Sequence, residues 1–310
     1  MLTVDTEALP RRAPHDHVNR LIWGVFDQGT AGVREMCSIG DDFNAKHIFF
    51  VDLCGAYSYR DEMREVVRWL DLAGQDVQLH AHPEVLPDEF WVSNGLDPRP
   101  GLMDEYKEDA RAEFVIRHFA GSISEVTSKR INAFRAGSFR WNACSIRALR
   151  AAGIPLSFNN SMRAYHAGHC VYSEATNLPF AWSNGVIEVP LTEHCIPPLP
   201  GGRPFWASLT YPESPYFPFA VRRESFFSKI FGRVADFSVF LLHSWSFLCW
   251  DESGYAAYMD DRRMDGYRKL LGRVTKDYDV ITTNEFIDLH ARGRIEASHT
   301  VNVEQAEFLG

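Results

Sequence analysis

A parallel α/β fold, closed or nearly closed into a barrel, is predicted by three features of the 310-residue sequence. Apolar runs of buried-strand type alternate with amphipathic helical stretches about seven times. No internal repeat or low-complexity linker interrupts the alternation. The polar residues Asp5, Glu7, His80, His82, Arg135, Glu188 and His243 fall near the C-terminal ends of the apolar runs, where such folds place their chemistry. One domain over residues 1–310 is expected, with insertions near 84–102 and 196–234 and a polar tail near 292–310.

Taken in order, Leu2–Asp5 alternates apolar and polar residues as a short strand does, and residues 8–31, rich in Pro, Arg, His and Gly, read as a long surface loop. Val33–Phe43 is predicted helical, and Lys46–Leu53 (KHIFFVDL) is a near-continuous apolar strand of the kind buried on both faces. Asp61–Ala73 carries Met63, Val66, Val67 and Leu70 on one helical stripe, with Gly74 placed to end it. The strand Asp76–Pro83 comes next, then a loop to about Gly101 and a long helix from near Met103. Ile131–Phe134 is predicted as strand and Trp141–Ala152 as helix. Pro155–Phe158, Gly185–Leu191 and Phe237–His243 are further strands. Met264–Leu271 is helical, Asp279–Thr283 a last strand and Glu285–Ala291 a last helix.

Hydrophobic content of 45% and charged content of 24% are those of an ordinary globular chain. A net charge of −9 argues against nucleic acid as a partner. No apolar run approaches ~20 residues, the length needed to span a membrane. The start MLTVDTE has neither a basic n-region nor an apolar h-region, so a cytoplasmic location is expected. The six cysteines contain no C-x-x-C and fit reduced thiols better than a disulfide framework.

The stretch DVQLHAHP organises the rest. On a strand, Gln78, His80 and His82 share one face, while Val77, Leu79 and Ala81 face apolar packing. Two imidazoles so placed are either a metal-ligand pair or histidines of a core strand. Asp5 and Glu7 share strand parity and point into the same mouth. Two histidines with one carboxylate form a common three-ligand set for catalytic zinc, open to water at the fourth position. A second carboxylate can serve as general base, an arginine can hold that base, and a further histidine can protonate a leaving amine. Asp5, Arg135 and His243 are the candidates for those roles; the alternatives are an aspartate capping a turn, an arginine paired with it and a core histidine.

In this order the motifs resemble the polysaccharide deacetylase family, the chitin, peptidoglycan and nodulation-factor deacetylases of carbohydrate esterase family 4. LTVDTE resembles the family's Thr-Phe-Asp-Asp-Gly, and GQDVQLHAHP its Gly-His-Glu-Ile-x-x-His. FRAGSFR resembles Arg-x-Pro-Tyr, Asn159–Ser161 with GVIEVP resembles Asp-Ser-Ser and Glu-(Ile/Val)-Pro, and FLLHSW resembles Leu-x-Leu-His. The resemblance covers roughly residues 1–290. It implies a distorted (β/α) barrel of about seven parallel strands and removal of an N-acetyl group from a sugar with the help of a divalent metal ion, zinc by preference. It further implies Asp5 as base, His80 as first metal histidine, Arg135 as tether of the base and His243 as acid. The backbone amide near Ser138 is the implied oxyanion donor, with Gly137 and Ser138 in place of Pro and Tyr. Two positions depart from the pattern. Thr6 stands where the family has its metal aspartate, and Glu84 where it has its second metal histidine. Glu7 and His82, each displaced by two residues from its partner, replace them on the inward face.

Residues 196–234 combine Pro-rich PPLPGGRPFW with Tyr211, Tyr216, Phe217 and Phe219, which suit stacking on sugar rings. Residues 222–234 read as a basic amphipathic helix, able either to pack on the barrel or to touch an anionic membrane surface. His169–Cys170 and His194–Cys195 lack the spacing of structural zinc sites and are expected to line the mouth. The expected activity is metal-dependent hydrolysis of an amide C–N bond on an N-acylated sugar, carried on a nucleotide or a lipid during surface-polysaccharide synthesis. The alternatives are an inactive sugar-binding or scaffold protein on the same barrel, and a deformylase or other amidohydrolase. No oligomeric state is assigned.

Overall fold

The computed structural model describes residues 1–13, 15–196, 205–215 and 237–307. Its main sheet has nine strands. From one edge they run Phe240–His243, Leu2–Thr6, His47–Asp52, Asp76–Ala81, Ala133–Ala136, Leu156–Ser157, Ile187–Glu188, Phe180–Trp182 and Thr300–Val301. The first seven are parallel to their neighbours, and Phe180–Trp182 is antiparallel to Ile187–Glu188.

Chain outside the regular strands joins the two sides of this seven-strand set. Continuing from Ile187–Glu188, Val189 N–H donates to the Ser157 carbonyl at 2.7 Å and Leu191 N–H to that of Asn160 at 3.1 Å. Leu209 N–H reaches the Thr192 carbonyl at 2.8 Å, and Leu241 N–H the Leu209 carbonyl at 2.9 Å. Thr210 forms a parallel bridge with Leu241. The sheet therefore closes as a distorted barrel whose last step is irregular.

Side-chain alternation divides the core as a barrel requires. Leu2, Val4, Phe49, Val51, Leu79, Ala81, Phe134 and Ala136 face outward, in one cluster with the helices. Ile48, Phe50, Ala133, Leu156, Phe158, Val189 and Leu241 fill the interior. Helices Val33–Asp41, Arg60–Leu72, Asp109–Thr127, Ala143–Ala152 and Arg262–Asp277 cover the outside with their apolar faces. Asn142 starts one of them by accepting from Cys144 N–H, and Gly74, at φ 68°, follows another.

Four sequence expectations differ from what is observed. Asp279–Thr283 forms no strand. Thr282 and Glu285 make a reciprocal cap that commits the segment to opening helix Thr283–Ala291, and Thr283 N–H bonds Asp76 Oδ2 at 2.6 Å beneath the barrel. Residues 8–31 are partly buried: Leu9, Ala13, Leu21 and Ile22 join the core, around helix His17–Leu21. The long helix begins at Asp109, after a separate turn at Met103–Glu105. The segment expected as a tail supplies strand Thr300–Val301, with Val303 and Ala306 buried behind it. The helix expected over 222–234 lies outside the described residues.

Candidate metal centre

The register brings the polar residues to one level. Asp5 pairs with His243 across adjacent strands, and Asp52, His80 and Arg135 lie side by side across three. Glu7 follows the first strand and His82 stands one residue past the end of its own. Glu7 Oε1 lies 2.8 Å from His80 Nε2 and 3.1 Å from His82 Nε2, and all three residues are buried.

The opposite ring nitrogens determine what this cluster can hold. His80 Nδ1 faces the Arg135 carbonyl at 2.7 Å, an acceptor only, so Nδ1 carries the proton. His82 Nδ1 lies 2.7 Å from Glu84 Oε1, and an ionised carboxylate likewise requires the proton on Nδ1. In their neutral forms both rings then aim Nε2 lone pairs at the Glu7 carboxylate. Three electron-rich atoms converge, and they need either two extra protons or a cation among them. Burial opposes ionisation of Glu7, but His82 and His80 outweigh it and hold its carboxyl well below the usual range. Burial also disfavours a charged His82, yet Glu7, Glu84 and Asp52 pull its imidazole well above its ordinary value. A nitrogen–nitrogen–oxygen set whose imidazoles are held from behind by a carbonyl and a carboxylate suits zinc. The residues fit the group.

Beside the cluster, Arg135 is buried with Phe50 under its guanidinium at 4.4 Å. It donates to Asp5 Oδ1 at 2.6 Å and to Thr3 Oγ1 at 2.9 Å. Asp5, Glu7 and His243 also offer ligand atoms within 4.8 Å of one another. Among the described residues, the metal-capable group that contains both histidines includes Glu7 and not Asp5. His243 stacks on Trp245, with ring centres 5.1 Å apart and planes 18° from parallel. Asp5, Glu7, His82 and His243 line one cavity of about 430 Å³, walled in part by Ser138, Phe139 and His169. Ser138 and Phe139 are both left-handed, at φ 54° and 55°, a backbone that costs on the order of 1 kcal/mol or more per residue.

Several supporting residues escape sequence reasoning. Asp52 Oδ1 accepts from Cys54 N–H at 2.9 Å and His82 N–H at 3.3 Å, fixing the turn that carries the second imidazole. Thr6, where the resemblance implied a carboxylate, turns its hydroxyl back to the Val4 carbonyl. Glu188 is a strut: Oε1 accepts from Asn159 and Asn160 N–H, and Oε2 from Trp182 Nε1. Of these, Glu188 was placed at a strand end by the sequence and Thr6 marked as a departure, but their bonding was not foreseen; Asp52 went unnoticed, although it is the polar end of KHIFFVDL. His169 lines the cavity and bonds the Ser138 carbonyl, whereas His194 and Cys195 belong to a hairpin with Phe205–Ser208. Neither His–Cys pair joins a metal-capable group among the described residues. Tyr216, Phe217 and Phe219 lie outside them.

No family model matches the sequence, and no curated protein matches it. Solved structures do. A candidate polysaccharide deacetylase from Mycobacterium smegmatis superposes with a TM-score of 0.53 at 14% identity, over 95% of this chain and 91% of that one. A 4-alpha-glucanotransferase from Thermococcus litoralis gives 0.56 at 10% identity, over 97% of this chain, which spans only 41% of the transferase. At such identities the likeness is one of fold: the chain has the distorted barrel of the polysaccharide deacetylases, a barrel also present within a glucanotransferase.

Proposed function

We propose that the protein is a metal-dependent hydrolase of an amide C–N bond on a sugar, most simply an N-deacetylase. The observation that carries this reading is the convergence of Glu7 Oε1, His80 Nε2 and His82 Nε2, with both Nδ1 atoms already committed. Those three residues would hold the ion. Zinc held there would supply Lewis acidity toward an acyl carbonyl and would make a water molecule more acidic. Asp5, anchored by Arg135, takes the proton of the attacking water. His243, braced by Trp245, gives a proton to the departing amine. Buried Arg135 keeps the base oriented.

The natural substrate in this reading is an N-acylated sugar on a nucleotide or lipid carrier, handled in the cytoplasm during surface-polysaccharide assembly. To test the activity, zinc-loaded protein is incubated with free and carrier-linked N-acetyl and N-formyl amino sugars while released acid is measured. Metal-dependent release of acetate is expected, falling by about 10²–10⁴-fold in Asp5→Asn and in His243→Ala. Release of formate alone would make the enzyme a deformylase. Protein that takes up no zinc and binds sugars without releasing acid would be a non-catalytic member of the fold.

A further inference from the structure

Among the described residues, Arg64, Arg68, Arg99, Arg117, Arg135, Arg140, Arg147, Arg262 and Arg268 each pair with a carboxylate, and Arg111, Arg130 and Arg263 donate to backbone carbonyls. Arg11 and Arg12 do not, although both line the cavity that holds Asp5, Glu7 and His243. They sit on the short turn Pro10–Arg12, just after Glu7. The Arg12 guanidinium is clamped over two indoles, 4.7 Å from the Trp250 ring centre and 5.1 Å from that of Trp245, the ring on which His243 stacks. Its Nε is buried without a hydrogen-bond partner. Burial and the neighbouring Arg11 charge both press against its protonation. Asp5 is bonded to Arg135 and Glu7 to the imidazoles; the Glu7 charge favours a protonated Arg12 but is outweighed by burial and Arg11. Glu213, the other carboxylate of the cavity wall, makes no ion pair with either arginine.

Two adjacent like charges, one fixed by aromatic faces with its Nε unpartnered, form a costly arrangement unless an anion lies between them. Guanidinium groups match phosphoryl oxygens in paired hydrogen bonds, and two of them match the double charge of a diphosphate. We propose that Arg11 and Arg12 form an anion subsite for the diphosphate of a carrier-linked sugar, holding it beside the acyl-cleaving residues. This rests on the deacylase reading for its purpose but not for its detection. Nucleoside diphosphate and polyprenyl diphosphate carriers share the recognised chemistry.

The first test is calorimetric titration of metal-free protein with inorganic pyrophosphate, which keeps the probe from competing for zinc. Saturable binding is expected, weakened at least about tenfold in Arg11→Gln and in Arg12→Gln. Because Arg12 packs on two rings, each variant's melting temperature is measured, and Arg11→Gln, an exposed position, carries the decision if Arg12→Gln unfolds. Absence of binding to folded wild type, or equal binding by Arg11→Gln, would overturn the subsite. Uridine diphosphate and farnesyl diphosphate are then titrated. Tighter binding of one than of pyrophosphate identifies the carrier, and equal binding of both means that only the diphosphate is read. In turnover, the preference of zinc-loaded protein for a diphosphate-linked over a free N-acyl sugar should collapse in Arg11→Gln, through KM. Pyrophosphate binding that responds to the arginines, with no acyl release from any sugar, would support the subsite and defeat the deacylase reading.

Discussion

Gly137 has no side chain because the His82 ring occupies the place of one. A Cβ there would fall 2.5 Å from His82 Nδ1 and 2.6 Å from Cγ and Cε1, too close for any real contact. The same imidazole leans on Glu84 through Nδ1. His82, Glu84 and Gly137 therefore form one coupled set: moving the second histidine to His82 frees Glu84 to orient it and requires glycine at 137. Gly137→Ala should weaken zinc affinity by tenfold or more, and Glu84→Gln by about 10–100-fold, measured by competition with a chelating dye. Unchanged affinity in both would dissociate these residues from the site. Strand parity made Glu7 and His82 legible in the sequence. Glu84 was legible only as a departure, because its role depends on the turn at Pro83–Val85, which no periodicity encodes.

At the scale of elements, the Glu188 carboxylate ties strand Ile187–Glu188 to the chain after Leu156–Ser157, and Asn159 Oδ1 passes the tie to Ala136 N–H at 2.7 Å. This braces the strand that carries Arg135. Burial pushes the pKa of Glu188 up, and the hydrogen bonds it accepts offset part of that rise. Glu188→Gln replaces an acceptor by a donor facing Trp182 Nε1, and should cost about 1–3 kcal/mol in urea denaturation. A loss under about 0.5 kcal/mol would make the brace unimportant. The longer elements were legible because their apolar stripes repeat. Phe180–Trp182 and Thr300–Val301 were not, since two or three residues carry no period. Asp279–Thr283 looked like a strand by composition, but both sides of the seven-strand barrel were already occupied and its own cap claimed it for a helix.

For the whole molecule, parallel alternation made the barrel legible, while its closure through Thr192, Leu209 and Leu241 was not, because irregular backbone hydrogen bonds leave no sequence pattern. Stability should depend on pH through His47, which is buried between helices and sheet and bonded to the Tyr267 hydroxyl at 2.7 Å. Burial lowers its pKa from 6.5 to about 4. The folded state thus binds fewer protons than the unfolded one between those values. The contribution is complete above about pH 6.5 and is lost as pH falls toward about 4, a change worth about 3 kcal/mol. His47→Gln should flatten the stability–pH curve in that window, and a wild-type slope retained by the variant would assign it elsewhere. The metal centre is tested most directly by zinc-edge X-ray absorption on protein stripped of metal and reloaded with one equivalent. Two imidazole ligands are expected in wild type and one in His82→Ala. An imidazole count unchanged by His82→Ala, or wild-type protein that retains no zinc, would contradict the site built from Glu7, His80 and His82.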